Sequence, residues 1–427
     1  MADELSAVVM AGGIGTRMKS ATPKHLHPLL GRRLVDWVVE AARGAGVERV
    51  VVVASAQTRD LLEGVEVVVQ EEPLGTGDAV RCAHEALAGS TGDVLVLNGD
   101  VPALRPETIA ALVETHRAAA AAATVLSFEP ADAAAYGRIV RDGDGRLARI
   151  VEAADASVEE LALGEVNSGI YVFRADKLWP ALERLDPHNA QGELYVTDTL
   201  GLLVGDGETV AVQLADDELE AEGVNTRAEL AAAAACLRDR INEAHMLAGV
   251  TIVDPASTWI DAGIEIEADV VIHPFTVIRG EVRIATGVEI GPFAYVRPVT
   301  ELGAGAKIGT FVEVKNSVVG ADAKIPHLSY IGDAEIGEGT NIAAGNITAN
   351  FKHEAGRPKA RTTIGRNVRT GVDNVFDAPV EIGDDAWIAP GAVITENVPP
   401  GSLAGFAPRQ ETKEGWVYEK HGNPDGD

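Results

Sequence analysis

Hydrophobic residues follow two different patterns along the chain, and the pattern changes near residue 250. In the first part, short runs that are apolar at every position, such as 50–53 and 94–97, alternate with stretches of helical periodicity. Fully apolar runs are typical of strands buried on both faces of a parallel sheet, and their alternation with helices predicts an α/β fold. We therefore expect a Rossmann-like domain that binds its ligands beyond the carboxyl ends of the strands.

The second part has a repeat of six residues. From Ile272 onwards a branched aliphatic residue returns at every sixth position, in the order Ile272, Ile278, Ile284, Ile290, Val296, Leu302, Ile308 and Val314. The phase then slips and recovers several times as far as Ile394. A period of six with Gly, Asn and Asp at the corners is typical of a parallel β-helix with three short faces per coil. Roughly seven coils of about eighteen residues would fit between Ile264 and Ser402. An antiparallel sandwich would instead show a period of two.

A helical pattern joins the two parts. Between residues 226 and 247, Leu230, Leu237, Ile241 and Met246 form an apolar stripe among many alanines, which predicts a rigid connecting arm. We therefore divide the chain into a first domain at 1–226, a helical arm at 227–249, a β-helix at 250–407 and a polar tail at 408–427.

Composition and charge exclude several classes of protein. The chain has 427 residues, with 36 basic and 65 acidic side chains and a formal net charge of −29. This charge opposes binding to nucleic acid or to an anionic membrane surface, and no apolar run is long enough to span a membrane. Cys82 and Cys236 have no CxxC spacing, so they predict neither a disulfide framework nor a zinc site and favour a cytoplasmic location. The apolar run at 5–11 follows two acidic residues and is expected to be a buried strand rather than a signal peptide.

A glycine-rich loop after the first predicted strand is the first candidate for chemistry. It contains Gly12, Gly13 and Gly15, and the cationic residues Arg17 and Lys24 follow shortly after it. Glycines at the start of a helix let backbone amides surround phosphates, and two cations would neutralise a leaving pyrophosphate. A tight strand-to-helix turn would also explain the glycines, but it would leave the paired cations without a role.

The motifs that follow this loop resemble those of nucleotidyltransferases that join a sugar 1-phosphate to a nucleoside triphosphate. The segments that carry this resemblance are 70–77, 98–100, 136–138, 150–152, 166–169 and 222–225. In the β-helix, the segments that resemble an acetyltransferase are 296–298, 311–315, 327–333 and 340–342. From residue 5 to residue 410 the chain is therefore similar to bacterial bifunctional enzymes that combine N-acetylglucosamine-1-phosphate uridyltransferase and glucosamine-1-phosphate acetyltransferase activities. The resemblance implies Mg²⁺ as cofactor, UTP and acetyl-CoA as co-substrates, a left-handed β-helix and a homotrimer.

The resemblance implies roles for residues of the first domain. The expected nucleotide contacts are Ala11, Gly12, Gly13, Gln70, Gly75 and Thr76, of which the last three would read the uracil base. The expected amino-sugar contacts are Gly137, Glu152, Asn167 and Asn225. Asp100 and Asn225 would be the ligands of Mg²⁺, because a carboxylate and an amide oxygen suit this hard cation. A helix cap is the alternative role for Asp100. Lys24 and Arg17 would neutralise charge while the sugar phosphate attacks the α-phosphate and pyrophosphate leaves.

The resemblance also implies a second active site, on the β-helix. His327 would be the general base that removes a proton from the sugar amine as it attacks an acetyl thioester, and Glu313 would orient the His327 ring. His327 lies at a slip of the six-residue repeat, where we expect the backbone to leave the coil. The expected contacts to the amino-sugar phosphate are Arg297, Lys315, Tyr330, Asn341, Asn350 and Lys359. The expected acetyl-CoA contacts are Ala344 and Ala389.

Several positions depart from the pattern of this family and keep two further hypotheses open. Many relatives have tyrosine at the position of Asn98 and a basic residue close to 153–154, where this chain has two alanines. These differences allow another sugar or base, such as a hexose 1-phosphate with dTTP. Phe351, Val372 and Phe406 stand where relatives usually have tyrosine, serine and arginine. The last two positions lie on the coenzyme side, so the alternative is a nucleotidyltransferase whose β-helix only trimerises or senses a ligand.

Overall fold

The chain folds around two kinds of β-structure, which belong to two separate units. The computed structural model describes residues 4–13, 15–133, 136–351, 359–405 and 412–421. The two units are Met1–Arg238 and Asp239–Asp427. Within the described ranges, no helix is both long enough and apolar enough to cross a membrane.

The described part of the first unit is built on a nine-stranded sheet and a short hairpin. The strands are β1 (Leu5–Ala11), β2 (Pro28–Leu29), β3 (Arg32–Arg33), β4 (Arg49–Ser55), β5 (Glu66–Gln70), β6 (Asp93–Asn98), β7 (Ala123–Phe128), β8 (Arg138–Arg141), β9 (Leu147–Val151), β10 (Val166–Arg174) and β11 (Val210–Leu214). The helices are α1 (Leu34–Gly44), α2 (Thr76–Cys82), α3 (Pro106–Ala118), α4 (Val158–Leu161), α5 (Ala175–Leu182), α6 (Val196–Gly205) and α7 (Arg227–Leu247). The main path of the sheet is β11-β7-β10-β6-β1-β4-β5, and β8 and β9 form a side branch on β10.

The main path of the sheet is mostly parallel, as the apolar runs predict, with four parallel and two antiparallel pairings. β1 is parallel to both β4 and β6, whereas β10 is inserted antiparallel between β6 and β7. Alternate residues of each central strand enter two separate cores, so that Val9 and Leu95 belong to one core while Val8 and Val96 belong to the other. Helices cover both faces of the sheet, which explains why these strands are apolar at every position.

The carboxyl ends of β1 and β6 lie next to each other at one edge of the sheet. The amide of Gly99 donates a hydrogen bond of 2.9 Å to the carbonyl of Met10. A side chain at Gly99 would have no space, because its Cβ would lie only 2.9 Å from the same carbonyl oxygen. This close contact brings the glycine-rich loop after β1 beside Asp100, which follows β6.

The opposite end of β6 is held by a buried carboxylate, Asp93. It accepts a hydrogen bond of 2.8 Å from Arg117 Nε, and His116 Nε2 lies 3.5 Å from its other oxygen. His116 is itself buried, with its Nδ1 at 2.9 Å from Thr124 Oγ1 of β7. Burial raises the pKa of the Asp93 carboxyl, but the neighbouring His116 and Arg117 outweigh this effect and hold the pKa below its ordinary value. These contacts tie the last turn of α3 to the strands that it covers.

We expect Asp93→Asn to lower the free energy of unfolding of this unit by about 1–3 kcal/mol at neutral pH, because the buried His116 ring and the Arg117 guanidinium lose a charged partner. The folded-state pKa of Asp93 is depressed, so its contribution is present above the unfolded-state pKa of about 3.9 and is lost as the pH falls through the folded-state value. Urea unfolding of the variant and the parent protein at neutral pH and near pH 3 measures the difference. Equal stabilities at neutral pH would contradict this prediction.

The second unit is a parallel β-helix with three faces. The strands of the first face are β12 (Thr251–Ile252), β15 (Val271–Ile272), β18 (Glu289–Ile290), β21 (Lys307–Thr310), β24 (Lys324–His327), β29 (Arg369–Thr370), β32 (Trp387–Ile388) and β34 (Leu403–Ala404). Those of the second face are β13 (Trp259–Ile260), β16 (Val277–Ile278), β19 (Tyr295–Val296), β22 (Glu313–Lys315), β25 (Tyr330–Gly332), β27 (Ile347–Ala349), β30 (Val375–Asp377) and β33 (Val393–Ile394). Those of the third face are β14 (Glu265–Ile266), β17 (Val282–Ile284), β20 (Thr300–Leu302), β23 (Val318–Val319), β26 (Ala334–Ile336), β28 (Thr362–Ile364) and β31 (Val380–Ile382). The helix α8 (Trp416–His421) comes near the end of the chain.

The aliphatic repeat forms the core of this β-helix. The repeat residues from Ile272 to Val314 are all at most 2% exposed, which confirms the fold inferred from the six-residue period. The stack begins earlier than the repeat predicts, because Thr251 and Ile252 already pair with Val271 and Ile272. The second face consequently has eight strands among the described residues, one more than the seven expected coils.

Two successive coils are one residue shorter than the coils before them. Ile290 pairs with Ile308, eighteen residues later, whereas Ile308 pairs with Ile325, seventeen residues later. Val314 still pairs with a residue eighteen positions earlier, Val296, whereas Val319 pairs with a residue seventeen positions earlier, Leu302. The missing residue therefore lies at the corner between Val314 and Val319. The prediction that the backbone leaves the coil at His327 is therefore wrong. His327 ends β24 and pairs with Thr310 of the preceding coil.

The predicted connecting arm is the helix α7, and the boundary between the two units falls within it. Of its apolar stripe, Leu237 is buried, whereas Met246 is 38% exposed. A polar residue, Asn242, is fully buried instead, and its Nδ2 donates hydrogen bonds of 3.0 Å to the carbonyls of Pro255 and Thr258. These bonds attach the end of the helix to the first coil of the β-helix.

Candidate active sites

The glycine-rich loop has a tight backbone conformation with its cations folded back over it. Gly15 has a φ of +71°, and a Cβ at this position would lie 2.4 Å from the Cβ of Lys24. Glycine is therefore required here by both conformation and space. The expectation of an α-helix start is wrong, because the loop leads only into a three-residue 3₁₀ helix, Thr16–Met18. Charge stabilisation at this site consequently depends on Arg17 and Lys24 more than on a helix dipole.

A cleft of about 510 Å³ opens above this edge of the sheet. The sequence-predicted residues that line it are Gly12, Gly13, Arg17, Lys24, Gln70, Gly75, Thr76, Asp100 and Asn225. Ala11, the remaining predicted nucleotide contact, is buried at the end of β1. The structure therefore brings together residues from four parts of the sequence, namely 12–24, 70–77, 98–100 and 222–225.

Four charged or polar side chains meet at the floor of the cleft. The Lys24 ammonium forms an ion pair with Asp100 and donates a hydrogen bond of 2.6 Å to Asn225 Oδ1. Arg17 donates a further hydrogen bond of 2.9 Å to the same oxygen. Because oxygens of Asp100 and Asn225 converge on one cationic group, they have the arrangement that a single divalent cation requires.

The donor set at this point also agrees with the chemistry of Mg²⁺. Mg²⁺ is usually held by one or two protein oxygens, with substrate phosphates and water completing its coordination. Within the described parts of the chain, no group of three or more His, Cys, Asp or Glu side chains could hold a metal ion. Asp100 and Asn225 thus fit a cation that arrives together with a phosphate-containing substrate.

The loop that lies over the cleft is held by hydrogen bonds to neighbouring segments. Gln70 Nε2 donates to the Gly75 carbonyl at 3.0 Å and to Asp78 Oδ2 at 2.9 Å. Gly75 has a φ of +119°, and a Cβ there would lie 2.5 Å from the Leu194 carbonyl oxygen. The hydroxyl of Thr76 accepts a hydrogen bond of 3.0 Å from the amide of Val196. These contacts preorganise the segment that the sequence predicts to read the base.

A second cavity of about 220 Å³ adjoins the cleft and shares Thr76, Asn98, Asp100 and Asn225 with it. The predicted sugar contacts Gly137, Glu152 and Asn167 all line this cavity. The two cavities therefore share the wall that contains the Asp100 and Asn225 pair. A sugar phosphate in the smaller cavity and a nucleotide in the larger cleft would place their phosphates beside the same cationic group.

The polar residues of the smaller cavity are held in defined positions. Burial raises the pKa of the Glu152 carboxyl, which accepts a hydrogen bond of 3.1 Å from the Thr197 hydroxyl. A Cβ at Gly137 would lie 3.2 Å from Glu152 Oε2, so a larger residue would crowd this carboxylate. Asn167 donates to Tyr171 Oη at 2.7 Å and accepts from the amide of Gly169 at 3.1 Å.

Two residues of this site were not assigned a role from the sequence. His25 is buried beneath the glycine-rich loop, and burial lowers its pKa to about 4, so the ring is neutral at neutral pH. The only signal in the sequence was its position next to Lys24. The sequence did not show that the 3₁₀ helix Lys24–Leu26 buries the His25 ring. Asn98, noted as a departure, donates a hydrogen bond of 3.3 Å to the Ser168 carbonyl. A Cβ at Gly169 would lie only 2.0 Å from Asn98 Nδ2, so the Asn98 side chain occupies the space that a larger residue at position 169 would need.

On the β-helix, a cluster of polar residues lies where the second face meets the corner that follows it. Lys315 Nζ lies 3.5 Å from Asp333 Oδ2, and Asn350 Nδ2 bonds to Asp333 and lies 3.3 Å from Tyr330 Oη. The Lys315 ammonium lowers the pKa of the neighbouring Lys359. Four of the predicted sugar-phosphate contacts thus surround Asp333, a residue that had no predicted role.

Asp333 is the carboxylate on which this cluster depends. Burial raises its pKa, but hydrogen bonds from Asn316 and Asn350 and the charges of Lys315 and Lys359 hold the pKa below its ordinary value. Asp333 consequently stays ionised and can keep two ammonium groups close together. Two adjacent ammonium groups are suited to a phosphate dianion.

Arg297 and Glu313 form a separate pair on the same face. Arg297 Nη1 donates a hydrogen bond of 2.7 Å to Glu313 Oε1. Glu313 therefore has Arg297 as its partner, rather than the His327 ring that it is expected to orient. His327 is exposed at the end of β24, and in the described part of the chain its ring takes part in no hydrogen bond.

The remaining predicted residues of the second site lie elsewhere on the coil. Asn341 is on the first face, where it bridges Lys324 and Arg369 of the neighbouring coils. Ala344 and Ala389 lie partly exposed at corners that follow this face. Of the departures, Phe351 is 64% and Val372 is 46% exposed, and Phe406 lies outside the described residues.

Both halves of the chain match known families. The model of the MobA-like NTP transferase domain matches residues 7–198, and the model of the bacterial transferase hexapeptide (six repeats) matches residues 263–298. The bifunctional protein GlmU of Streptomyces coelicolor is 45% identical to this chain, over 97% of this chain and 94% of its own length. GlmU proteins of Corynebacterium glutamicum and Mycobacterium tuberculosis are 43% and 42% identical, over 97% and 99% of this chain and 94% of their own length. The likeness therefore includes the cleft of the first unit as well as the β-helix.

Proposed function

The chain belongs to the family of bifunctional GlmU proteins, and from this premise we propose which of its residues perform each of the two reactions. The protein is an acetyltransferase and a uridyltransferase of UDP-N-acetylglucosamine synthesis. It transfers an acetyl group from acetyl-CoA to glucosamine 1-phosphate, and it couples the product to UTP with release of pyrophosphate. The first unit is the nucleotidyltransferase, and the left-handed β-helix is the acetyltransferase.

Uridylyl transfer takes place, in our proposal, in the cleft between the glycine-rich loop and Asp100. An oxygen of the sugar phosphate attacks the α-phosphorus of UTP, and the bond to the β-phosphate breaks as pyrophosphate leaves. Arg17 and Lys24 neutralise the charge that develops on the phosphate oxygens. Mg²⁺ held by Asp100 and Asn225 would supply further positive charge beside the phosphates. The observation that carries this assignment is the convergence of the Asp100 and Asn225 oxygens on Lys24.

Recognition of the two substrates follows from the two cavities. Gln70, Gly75 and Thr76 line the larger cleft and would hydrogen-bond the uracil, so that another base would leave buried polar groups unpaired. Glu152 and Asn167 line the smaller cavity and would hold the hydroxyl and N-acetyl groups of the sugar. Pyrophosphate release from a panel of nucleoside triphosphates and sugar 1-phosphates tests this recognition. Equal rates with dTTP and a hexose 1-phosphate would favour the broader substrate range that Asn98 and the alanines at 153–154 suggest.

Acetyl transfer takes place, in our proposal, beside His327. The sugar nitrogen attacks the thioester carbon of acetyl-CoA, the carbon–sulfur bond breaks, and His327 accepts a proton from the nitrogen. Lys315 and Lys359, held together by Asp333, would bind the phosphate of glucosamine 1-phosphate. Arg297 would add a third cation, and the bond from Arg297 gives Glu313 the role of holding this guanidinium.

The acetyltransferase assignment is tested by the release of free thiol from acetyl-CoA in the presence of glucosamine 1-phosphate. We expect release that depends on the sugar phosphate. Its absence, together with normal pyrophosphate release in the uridyl assay, would favour a β-helix that only assembles the protein or senses a ligand. Val372 and Phe406 would then be the first positions to restore to serine and arginine.

A ladder of exposed apolar residues on the β-helix supports self-association. The rings of Phe275, Phe293 and Phe311 stack with centroids 4.8 and 5.1 Å apart, and Leu328 follows them next to His327. All four side chains are between 46% and 60% exposed. Hexapeptide β-helices associate through such faces, and we propose a homotrimer in which this ladder is covered by a second copy of the chain. The cytoplasmic location inferred from the two cysteines stays a prediction.

We expect Phe293→Glu to dissociate the assembly, because a carboxylate in the middle of the ladder would have to be buried without a partner. Sedimentation velocity would show a mass near that of a single chain, and thiol release would fall at least about tenfold, while pyrophosphate release would be unchanged. Val318→Glu is the matched control, since Val318 is also exposed but lies on the third face. An unchanged assembly of the Phe293 variant would exclude the ladder as the interface.

A further inference from the structure

We propose that Glu220 is a positioning residue for Asp100 and Asn225, the two proposed ligands of Mg²⁺. Glu220 has no contact with the cleft itself, and it lies five residues before Asn225 in the segment that leads into α7. The inference rests on the function proposed for Asp100 and Asn225. It concerns how the separation of their two oxygens is maintained when both residues lie on segments outside regular secondary structure.

Glu220 joins its own segment to the start of α3. Its side chain is only 7% exposed, and it accepts hydrogen bonds from the backbone amide of Arg105 at 3.2 Å and from the Thr108 hydroxyl. Arg105 Nε lies 3.0 Å from the other carboxylate oxygen. The residue that follows Arg105 is Pro106, so this helix begins without an amide donor at its first position. The Glu220 carboxylate thus caps a helix that is more than one hundred residues away in the sequence, and its charge suits the helix amino terminus.

A second connection joins the same two segments close to the proposed metal ligands. The amide of Val224 donates a hydrogen bond of 2.8 Å to the carbonyl of Asp100. The segment from Asp100 to Arg105 and the segment from Glu220 to Asn225 are therefore linked at both ends. Such a closed arrangement restricts the movement of Asp100 relative to Asn225 more than a single hydrogen bond could. Without Glu220, this end would keep, among the described residues, only the longer contact of 3.9 Å between Arg105 and Asp217, and the two oxygens would be held less firmly at the spacing of one cation.

Asp93 offers a matched control for this proposal. It is a buried carboxylate like Glu220, but its arginine partner, Arg117, lies in the last turn of α3, whereas the arginine partner of Glu220, Arg105, comes directly before the first turn. It lies at the opposite end of β6 from Asp100. Loss of either carboxylate removes the anchor of one end of α3, so both variants should lose stability. Only the loss of Glu220 should alter the spacing of the two proposed metal ligands, Asp100 and Asn225.

The test measures binding of Mn²⁺ to the full-length protein in the presence of a non-hydrolysable UTP analogue and without sugar phosphate, by the electron paramagnetic resonance signal of free Mn²⁺. For Glu220→Gln we expect a dissociation constant about tenfold higher than that of the parent protein, as found for residues that orient metal ligands. Asp93→Asn should bind Mn²⁺ as the parent does. Hydrogen exchange of the peptide that contains Val224 should accelerate in the Glu220 variant and stay unchanged in the Asp93 variant.

The outcomes separate this inference from the function on which it rests. Normal Mn²⁺ binding by Glu220→Gln, with weakened binding by Asp100→Asn, would overturn the role of Glu220 alone. Normal binding by both variants would overturn the assignment of Asp100 and Asn225 as metal ligands and, with it, the role of Glu220. If near-ultraviolet circular dichroism shows that Glu220→Gln does not fold, Thr108→Val replaces it, because it removes a single hydrogen bond of the same carboxylate. Weakened Mn²⁺ binding by the Thr108 variant would then support the proposal, and normal binding would refute it.

Discussion

Replacement of His327 with alanine should lower the rate of acetyl transfer by about two to four orders of magnitude and leave uridylyl transfer unchanged. Without the imidazole, no group at this position accepts the proton of the attacking amine, and the protonated tetrahedral intermediate reverts to the thioester. The side chain is exposed, and its backbone is held by the stacking of β24 on β21, so its removal should not disturb the coil. Free thiol released from acetyl-CoA is the direct measurement.

The same protein sample provides the control for this experiment, because the second reaction takes place in a different unit. Pyrophosphate release by His327→Ala should equal that of the parent protein, which excludes a loss of folded protein. His327→Asn is a further control for the size and polarity of the side chain, and it should be as inactive as the alanine variant. If thiol release persisted at the parental rate in both variants, the base would have to be another group.

Replacement of Asp100 with asparagine should produce the reverse result, with pyrophosphate release reduced by about two to three orders of magnitude and thiol release unchanged. The substitution keeps the size of the side chain but removes the negative charge that pairs with Lys24 and would attract Mg²⁺. A higher Mg²⁺ concentration should restore part of the activity if the loss is one of cation affinity. Initial rates at increasing Mg²⁺ concentrations therefore separate weaker binding from a slower chemical step.

A matched variant for Asp100 is Asp60→Asn, which removes an acidic charge from the same unit at a side chain that is 90% exposed. We expect this variant to retain both activities. If Asp100→Asn and Asp60→Asn behaved alike, the carboxylate of Asp100 would have no special part in uridylyl transfer. The alternative role considered for Asp100, a helix cap, would not account for its position, because the next helix begins at Pro106 with Arg105 as its N-cap residue.

Much of the fold could be predicted because burial imposes strict periods on the sequence. Every inward position of a β-helix coil meets the inward positions of the coils above and below, so an aliphatic residue is required at regular intervals. The start of the stack could not be predicted in this way. Thr251 and Ile252 form the first strand, but the six-residue repeat is not yet regular there. The antiparallel insertion of β10 was also hidden, because its residues are buried on both faces of the sheet, as those of a parallel strand are.

The candidate sites were predictable to the extent that motifs occur in a characteristic order. This order identified Lys24, Asp100 and Asn225, which the structure brings into contact. It could not identify the partner of a side chain, since that depends on rotamers and on distant segments. Glu313 was expected to contact His327 and bonds to Arg297 instead. Asp333 was missed for the same reason, because an aspartate at a coil corner is ordinary unless its lysine neighbours are known.

The two short coils of the β-helix have a consequence for how this scaffold accommodates changes in length. The missing residue lies at the corner between Val314 and Val319, and the chain is longest at the equivalent corner two coils later, between β27 and β28. Shortening and lengthening therefore occur at one vertex of the triangular cross-section, while the strands on either side keep their pairing. This vertex is where foreign peptide loops could be grafted into the scaffold, and where natural variation in loop length could accumulate without unravelling the coil stack.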